Sequence, residues 1–154
     1  MKKAAKKKNP VVLVIHGPNL NLLGKRETSL YGTTTFARLN TLLKAKAKKL
    51  KLCVNVFQSN SEGAIVNKIN AALGKTDLII INPAAYTHTS VAIRDALLAV
   101  AIPAIEVHIS NIFKREDFRK ESLISDVAVG VISGMGTDSY LLALEAAKTL
   151  LTEK

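Results

Sequence analysis

The chain has 154 residues, 48% of them hydrophobic, which is enough for one domain with a proper core and leaves no room for a second. Its net charge of +10 is local: five of the 22 Lys and Arg residues lie in residues 2–8 and five in residues 44–51, and the other 12 are balanced by 12 Asp and Glu. A single cysteine excludes a disulfide framework, and no apolar stretch is long enough for a membrane span or a signal peptide, so we expect a cytoplasmic protein without a membrane partner.

The two lysine clusters raise the question of a nucleic-acid partner. We divide the chain into a basic tail, residues 1–9, and a single domain, residues 10–154. No aromatic residues are interleaved with the lysines, so a solvated tail and a solubilising helix face are favoured, and we expect no nucleic-acid partner. An inert scaffold that binds polyanions through these lysines is the competing interpretation.

Five apolar runs, rich in Val and Ile, follow one another at residues 11–15, 52–57, 78–81, 104–107 and 127–132. Continuous runs of this kind indicate strands buried on both faces. Segments with helical spacing separate them, and this alternation predicts an α/β fold with a five-stranded parallel sheet. Cys53, inside the second run, is expected to pack as a small hydrophobe.

Polar clusters follow the first, third and fourth runs directly. Parallel sheets bind ligands at the carboxyl ends of their strands, so these clusters predict one polar pocket at that end. Helix starts fit this arrangement, since Ser59 and Glu62 have the spacing of a capping box and Thr89 or Ser90 can cap a later helix.

The loop after the first run contains Gly17 and Gly24 but lacks the spacing of a phosphate-binding loop. Six residues separate the two glycines, and Arg26 stands where a magnesium-binding Ser or Thr should follow Lys25. No G-x-G-x-x-G is present either. We therefore expect no bound nucleotide.

Gly24 and Gly32 bracket a segment that is too long for a simple strand-to-helix turn, as in many active-site lids. The segment carries Arg26 and Tyr31. A guanidinium beside a phenol stabilises the phenolate, so this pair would make a general base. A packed tyrosine ring with a solvated arginine fits the spacing equally well.

The fourth run contains Glu106 and is followed directly by His108, and these two residues alternate onto one face of an extended chain. A carboxylate on one ring nitrogen fixes the tautomer of a histidine and favours its protonated form, which can donate to a leaving group. The alternative is a core histidine that is merely satisfied by its neighbour. Two polar residues at the end of a buried strand favour the functional interpretation.

A metal or a catalytic serine is not favoured. His16, His88 and His108 lie in three separate segments, with no H-x-H or H-x-x-x-H spacing, and no G-x-S-x-G is present. We expect neither a metal nor another cofactor.

The remaining polar residues suit an anionic, hydroxylated ligand. Asn82, Ser110 and the backbone amides at Ile109 and Ser110 are suited to a carboxylate. His88, Arg115 and Arg119 offer further donors, and the two arginines would share one side of a helical turn. A solvated pair of arginines bound to Glu116 and Asp117 is the alternative for that turn.

Five motifs, in order between about Val11 and Leu150, resemble those of type II 3-dehydroquinate dehydratases. They are Gly17-Pro-Asn-Leu-Asn-Leu-Leu-Gly24, Arg26-Glu with Tyr31-Gly32, Asn82-Pro-Ala-Ala-Tyr-Thr-His-Thr-Ser90, Ile105-Glu-Val-His-Ile-Ser-Asn111 and Arg115-Glu-Asp-Phe-Arg119. The resemblance implies a flavodoxin-like three-layer sandwich with strand order 2-1-3-4-5 and a homo-oligomer, a dodecamer built from trimers. It also implies conversion of 3-dehydroquinate to 3-dehydroshikimate and water, without a cofactor, as the third step of the shikimate pathway.

The same resemblance implies a role for each matching residue. Tyr31, aided by Arg26, would remove a proton to give an enolate, and His108, oriented by Glu106, would protonate the departing hydroxyl, while Asn19 would hold a water at the enolate oxygen. The substrate would be bound by Asn82, His88, Ile109, Ser110, Arg115, Arg119 and, from a neighbouring subunit, Asp95.

The sequence departs from the family pattern in two places. Thr28 stands where the lid usually has a proline, and Ala84 and Ala85 replace a pair that often contains glycine. The first bears on the stiffness of the lid rather than on the chemistry. Another hydroxylated keto acid stays open as the substrate, as does a biosynthetic or a catabolic role.

Overall fold

The computed structural model describes residues 8–152, and within them five strands form one parallel sheet. The strands are β1 (Val11–His16), β2 (Cys53–Gln58), β3 (Leu78–Asn82), β4 (Ala104–His108) and β5 (Gly130–Ser133). Their order is β2-β1-β3-β4-β5, which confirms the predicted fold class and topology. Most of the predicted basic tail lies outside the described residues.

Helices cover both faces of the sheet, which gives three layers. The α-helices are α1 (Thr28–Tyr31), α2 (Phe36–Lys49), α3 (Glu62–Asn70), α4 (Val91–Val100) and α5 (Asp138–Thr152). Val12 and Val14 pack in the core beneath α2 and α5, whereas Leu13 and Ile15 pack in the core beneath α3 and α4. Alternate residues of one strand therefore serve opposite cores. No helix in residues 8–152 is both long and apolar enough to cross a bilayer.

The two edge strands differ from the sequence prediction. Residues of β2 and β5 are only partly buried, and Cys53 is exposed rather than packed inside, because an edge strand has a neighbour on one side only. The fifth strand begins at Gly130 and not at Val127, since the amides of Val127 and Ala128 bond to the carbonyl of Ile124 in a turn.

The helix caps confirm one prediction and correct another. Ser90 caps α4, as expected, by accepting from the amide of Ile93. Ser61, not Ser59, caps α3 by accepting from the amide of Ala64, so the predicted capping box is wrong. The hydroxyl of Ser59 accepts instead from the amide of Ser61, one step before the helix.

Strand order changes direction around β1, which lies between β2 and β3. Open α/β sheets bind ligands in the crevice that this change creates at the carboxyl ends of the strands. Gly17 lets the loop after β1 approach β3 closely, because a Cβ there would lie 2.4 Å from the carbonyl oxygen of Pro83. Its amide donates to the carbonyl of Asn82 at 2.8 Å, which ties the two strand ends together.

Candidate active site

A cavity of about 130 Å³ lies at the carboxyl ends of β1, β3 and β4. Ten of the twelve site residues expected from the sequence line it: Asn19, Arg26, Tyr31, Asn82, His88, His108, Ile109, Ser110, Arg115 and Arg119. Of the other two, Glu106 lies fully buried behind His108, and Asp95 is exposed on α4 and does not line the cavity.

The loop between Gly24 and Gly32 forms one wall of the cavity. Both glycines adopt left-handed backbone conformations, with φ of 82° and 79°. The single turn of α1 between them ends in Tyr31 and so places its phenol at the cavity. The two bracketing glycines therefore lie at the two ends of this wall.

The cation on the phenol oxygen is Arg115 rather than Arg26. Nη1 of Arg115 donates to the hydroxyl of Tyr31 at 2.7 Å. Cζ of Arg26 lies 5.7 Å from the centre of the tyrosine ring, and its guanidinium pairs with Glu27 at 2.5 Å. The sequence predicted Arg26 beside Tyr31, and the structure adds Arg115 at the phenol oxygen.

His108 and Glu106 form the buried pair that their spacing predicts. Nε2 of His108 lies 2.5 Å from Oε1 of Glu106. Burial by itself raises the pKa of Glu106, but hydrogen bonds from His108, Ser125 and Ser122 outweigh it and hold that pKa below its usual value. No sequence pattern indicated the two serines, which lie 16 and 19 positions beyond the glutamate.

His88 also lines the cavity, and its tautomer is fixed by a backbone carbonyl. Its Nδ1 lies 2.5 Å from the carbonyl oxygen of Glu121, and since a carbonyl only accepts, Nδ1 carries the hydrogen. Nε2 is then the nitrogen available to a ligand. Asn82, at the end of β3, accepts from the amide of Ala84 at 3.1 Å, which fixes the orientation of its side chain.

Arg115 and Arg119 do not share a single helical turn as expected. Two separate 3-10 turns, Ile112–Lys114 and Asp117–Arg119, occupy this segment. Both guanidinium groups nevertheless line the cavity, and both pair through Nε with Glu116, at 3.5 and 3.1 Å. The cavity wall is thus rich in cations, which suits an anionic ligand.

His16, the third histidine, belongs to the core and does not line the cavity. It is fully buried, its Nδ1 lies 3.0 Å from the hydroxyl of Tyr140, and its ring meets that of Phe36 edge to face. Burial lowers its pKa to about 4, against an opposing effect of Asn40, so the ring is neutral. Within residues 8–152, no three His, Cys, Asp or Glu side chains are grouped as metal ligands.

The chain is similar in sequence and fold to known proteins. Residues 10–148 match the family model described as dehydroquinase class II. The chain is 57% identical over 137 residues to a protein of Acaryochloris marina named 3-dehydroquinate dehydratase, covering 89% of this chain and 92% of that protein. Crystal structures of type II dehydroquinases from Propionibacterium acnes and Butyrivibrio crossotus both superpose with a TM-score of 0.88, at 44% and 46% identity. They cover 92% and 90% of this chain and 97% of each of those chains.

Proposed function

Because the chain belongs to the class II dehydroquinase family, we propose that it is a hydro-lyase that converts 3-dehydroquinate to 3-dehydroshikimate and water. One observation carries the proposal. A single cavity collects a phenol with a guanidinium on its oxygen and a histidine with a buried carboxylate on its ring. These are a candidate base and a candidate acid for the removal of water.

Substrate binding is proposed to use the cations and amides of the cavity. Asn82 and the segment of Ile109 and Ser110 would take the substrate carboxylate. Arg119 would donate to a ring hydroxyl, and His88 would accept from one through Nε2 because its Nδ1 hydrogen is already engaged. Binding of this kind holds the substrate in one orientation between Tyr31 and His108.

The first chemical step is the loss of a proton next to the ketone. Tyr31, as its phenolate, would take that proton, and the electron pair of the C–H bond would move to the ketone oxygen to give an enolate. Arg115 donates to the phenol oxygen and Arg26 lies near the ring, so both favour the phenolate. Asn19 would hold the water that stabilises the enolate oxygen.

The second step breaks the carbon–oxygen bond. Nε2 of His108 is engaged by Glu106, so the proton would leave from Nδ1 of the imidazolium to the departing hydroxyl, forming water. The enolate electrons form the new double bond, which is conjugated with the restored ketone. Transfer of the tyrosine proton back to His108 resets the site, and the scheme uses no cofactor.

The test is to add 3-dehydroquinate to the purified protein and to follow the ultraviolet absorbance of the conjugated enone. Turnover that survives both a chelator and borohydride is expected, since the scheme needs no metal and no imine. Tyr31→Phe should lower kcat at least about a hundredfold. Tyr86→Phe is the matched control, because the Tyr86 hydroxyl donates to the carbonyl of Asn60 and does not line the cavity.

Absence of turnover in the folded wild-type protein would reject the proposal. Salt-dependent polynucleotide binding in that case would favour the polyanion-binding scaffold instead. Inhibition by a series of cyclic keto acids would separate 3-dehydroquinate from another hydroxylated keto acid.

The proposal also includes a homo-oligomer in the cytoplasm, a dodecamer built from four trimers. Support comes from the family resemblance, and light scattering on the purified protein together with cell fractionation would test it.

A further inference from the structure

One short segment, residues 121–126, supports both histidines that line the cavity. It bonds to His88 directly and to His108 through Glu106. Its first residue, Glu121, accepts from Nδ1 of His88 through its carbonyl. Its serines, Ser122 and Ser125, both donate to the carboxylate of Glu106, which in turn holds His108. The chemistry of the proposed reaction does not itself use these serines.

The hydrogen bonds occupy both oxygens of the Glu106 carboxylate. Oε1 accepts from Nε2 of His108 at 2.5 Å and from Ser122 at 2.9 Å. Oε2 accepts from Ser125 at 2.6 Å, and the Ser122 hydroxyl also reaches it at 3.0 Å. All the neighbours of this carboxyl group donate hydrogen bonds to it. A group that only accepts is the ionised carboxylate, so these neighbours favour that form.

The direction of the Ser122 hydrogen is set by the backbone. The amides of Ile124 and Ser125 both donate to its hydroxyl oxygen, each at 3.1 Å. These two bonds occupy the lone pairs, so the single hydroxyl hydrogen is left to point at Glu106.

The segment is itself fixed to the rest of the fold. The amide of Leu123 donates to the carbonyl of Thr87 at 2.9 Å, and Arg94 of α4 donates to the carbonyl of Leu123 at 2.8 Å. Arg94 also forms an ion pair with Asp126 at the end of the segment. The serines are therefore presented to Glu106 by a segment with little freedom to move away.

We propose that Ser122 and Ser125 are positioning residues that hold Glu106 as a carboxylate in one orientation, so that Nε2 of His108 keeps its hydrogen and Nδ1 alone serves the cavity. The inference rests on the proposed function and deepens it by fixing which nitrogen delivers the proton. Without the serines, burial would favour the protonated carboxyl, which is able to donate to Nε2 and would then reverse the tautomer of the histidine.

The pH profile of turnover gives a readout that a merely structural role would not move. His108 on the same strand is the titratable group facing Glu106, and the Arg94–Asp126 pair lies at the outer end of the segment. The double variant Ser122→Ala with Ser125→Ala should therefore shift the acidic limb of kcat upward by about one pH unit, the usual scale for lost hydrogen bonds to a carboxylate. Ser125→Thr keeps a hydroxyl that can donate to Glu106, so its acidic limb should lie at the same pH as in the wild type.

Ser139→Ala serves as the matched control. Ser139 is fully buried, and its hydroxyl accepts from the amide of Met135 at 3.2 Å without touching Glu106. The Ser139→Ala variant should be somewhat less stable than the wild type, but the acidic limb of its kcat profile should not move. If the double variant does not fold, Ser125→Ala alone carries the test with a smaller shift, because it keeps the bonds of Ser122.

Nitrogen NMR of histidine-labelled protein separates this inference from the proposed function. Neutral His108 should carry its hydrogen on Nε2 in the wild type and lose that preference in the double variant, whether or not 3-dehydroquinate is the substrate. A folded double variant with the same tautomer and the same acidic limb as the wild type would overturn the inference. Absence of turnover with the expected tautomers would reject the function alone.

Discussion

The oxygen of Tyr31 and the guanidinium of Arg115 meet although 84 positions separate them in the chain. Arg115 has only 13% of its side chain exposed, and Arg26 has 38% exposed and is paired with its neighbour Glu27. A direct, partly buried donor stabilises a phenolate more than a cation beside the ring, because water screens the exposed charge. Arg115 is thus the stronger candidate for activating the proposed base.

Arg115→Ala is accordingly expected to lower kcat more than Arg26→Ala does, by about tenfold or more, the usual scale for one charged hydrogen bond. Steady-state kinetics of the two variants would measure the difference. Lys114→Ala is a control for the removal of one positive charge in the same segment, since Lys114 does not line the cavity around His108. Equal losses for Arg115→Ala and Arg26→Ala would contradict this ranking.

Residue patterns predicted pairings within the site only where the two partners are close in sequence. Glu106 and His108 are two positions apart on one strand, so their pairing follows from alternation alone. The distant partners of Tyr31 and of Glu106 depend on how separate loops fold over the strand ends. Ser122 and Ser125 carry no motif of their own, and only the hydrogen bonds to a buried carboxylate identify them.

At the scale of elements, the loop between Gly24 and Gly32 shows how backbone conformation determines the position of a side chain, that of Tyr31. Gly24 and Gly32 both have positive φ, but they differ in their surroundings. A Cβ on Gly24 would meet the backbone of Thr33, Thr34 and Thr35 within 3.0 Å, whereas a Cβ on Gly32 would meet nothing within 4 Å. A side chain at Gly32 would therefore strain the backbone without clashing with any neighbouring atom.

Gly32→Ala is expected to cost about 1 kcal/mol of stability and to lower kcat, because relief of the strain displaces the adjacent Tyr31. Gly74→Ala is the matched control, as Gly74 also has positive φ and open space around it but lies far along the chain from the lid. Chemical denaturation should give similar losses for both variants. A normal kcat for Gly32→Ala would show that its conformation does not position the tyrosine.

The elements also show where sequence patterns stop being informative. The apolar runs of β1, β3 and β4 become the buried centre of the sheet, as continuous hydrophobic runs predict. The apolar runs of β2 and β5 predict buried strands equally well, yet these two strands form the edges of the sheet. The side chain of Cys53 in β2 is exposed as a result. Which strand lies at an edge depends on the crossovers, and hydrophobicity within a strand does not encode them.

At the scale of the whole molecule, acid stability depends on His16. Its pKa of about 4 in the fold lies below the 6.5 of an unfolded histidine, so the unfolded chain binds a proton that the folded chain does not. Stability is present above pH 6.5 and is lost as the pH falls towards 4. Between pH 7 and pH 5 this loss amounts to about 2 kcal/mol.

His16→Gln should remove that dependence, because glutamine can still bond to Tyr140 but does not titrate in this range. Denaturation at pH 7 and pH 5, at one protein concentration, would compare the two proteins. The variant is expected to be less stable at pH 7 and to lose less on acidification. If both proteins lose the same free energy of unfolding between pH 7 and pH 5, His16 is not the cause of the acid sensitivity.

Assembly is the remaining question at this scale, and Asp95 connects it to the site. Asp95 is exposed on α4 together with Val91 and Leu98, whose exposed fractions are 56% and 54%. The three residues have the spacing of one helix face, and a contact between subunits would cover that face. Asp95 does not line the cavity of its own chain, so the predicted contribution to a neighbouring site requires an oligomer.

Mixing impaired subunits would test that contribution. His108→Ala is expected to lower kcat at least about a hundredfold, the scale of a lost general acid. Asp95→Asn is expected to lower turnover at limiting substrate, because it removes the proposed substrate contact. In oligomers reassembled from an equal mixture, roughly a quarter of the sites would combine an intact His108 with an intact Asp95 from the next subunit, so about that share of activity should return. A mixture of Tyr31→Phe and His108→Ala is the control, because both residues line the cavity of one chain and no hybrid site is complete. If mixed oligomers form without recovery, Asp95 does not serve a neighbouring site.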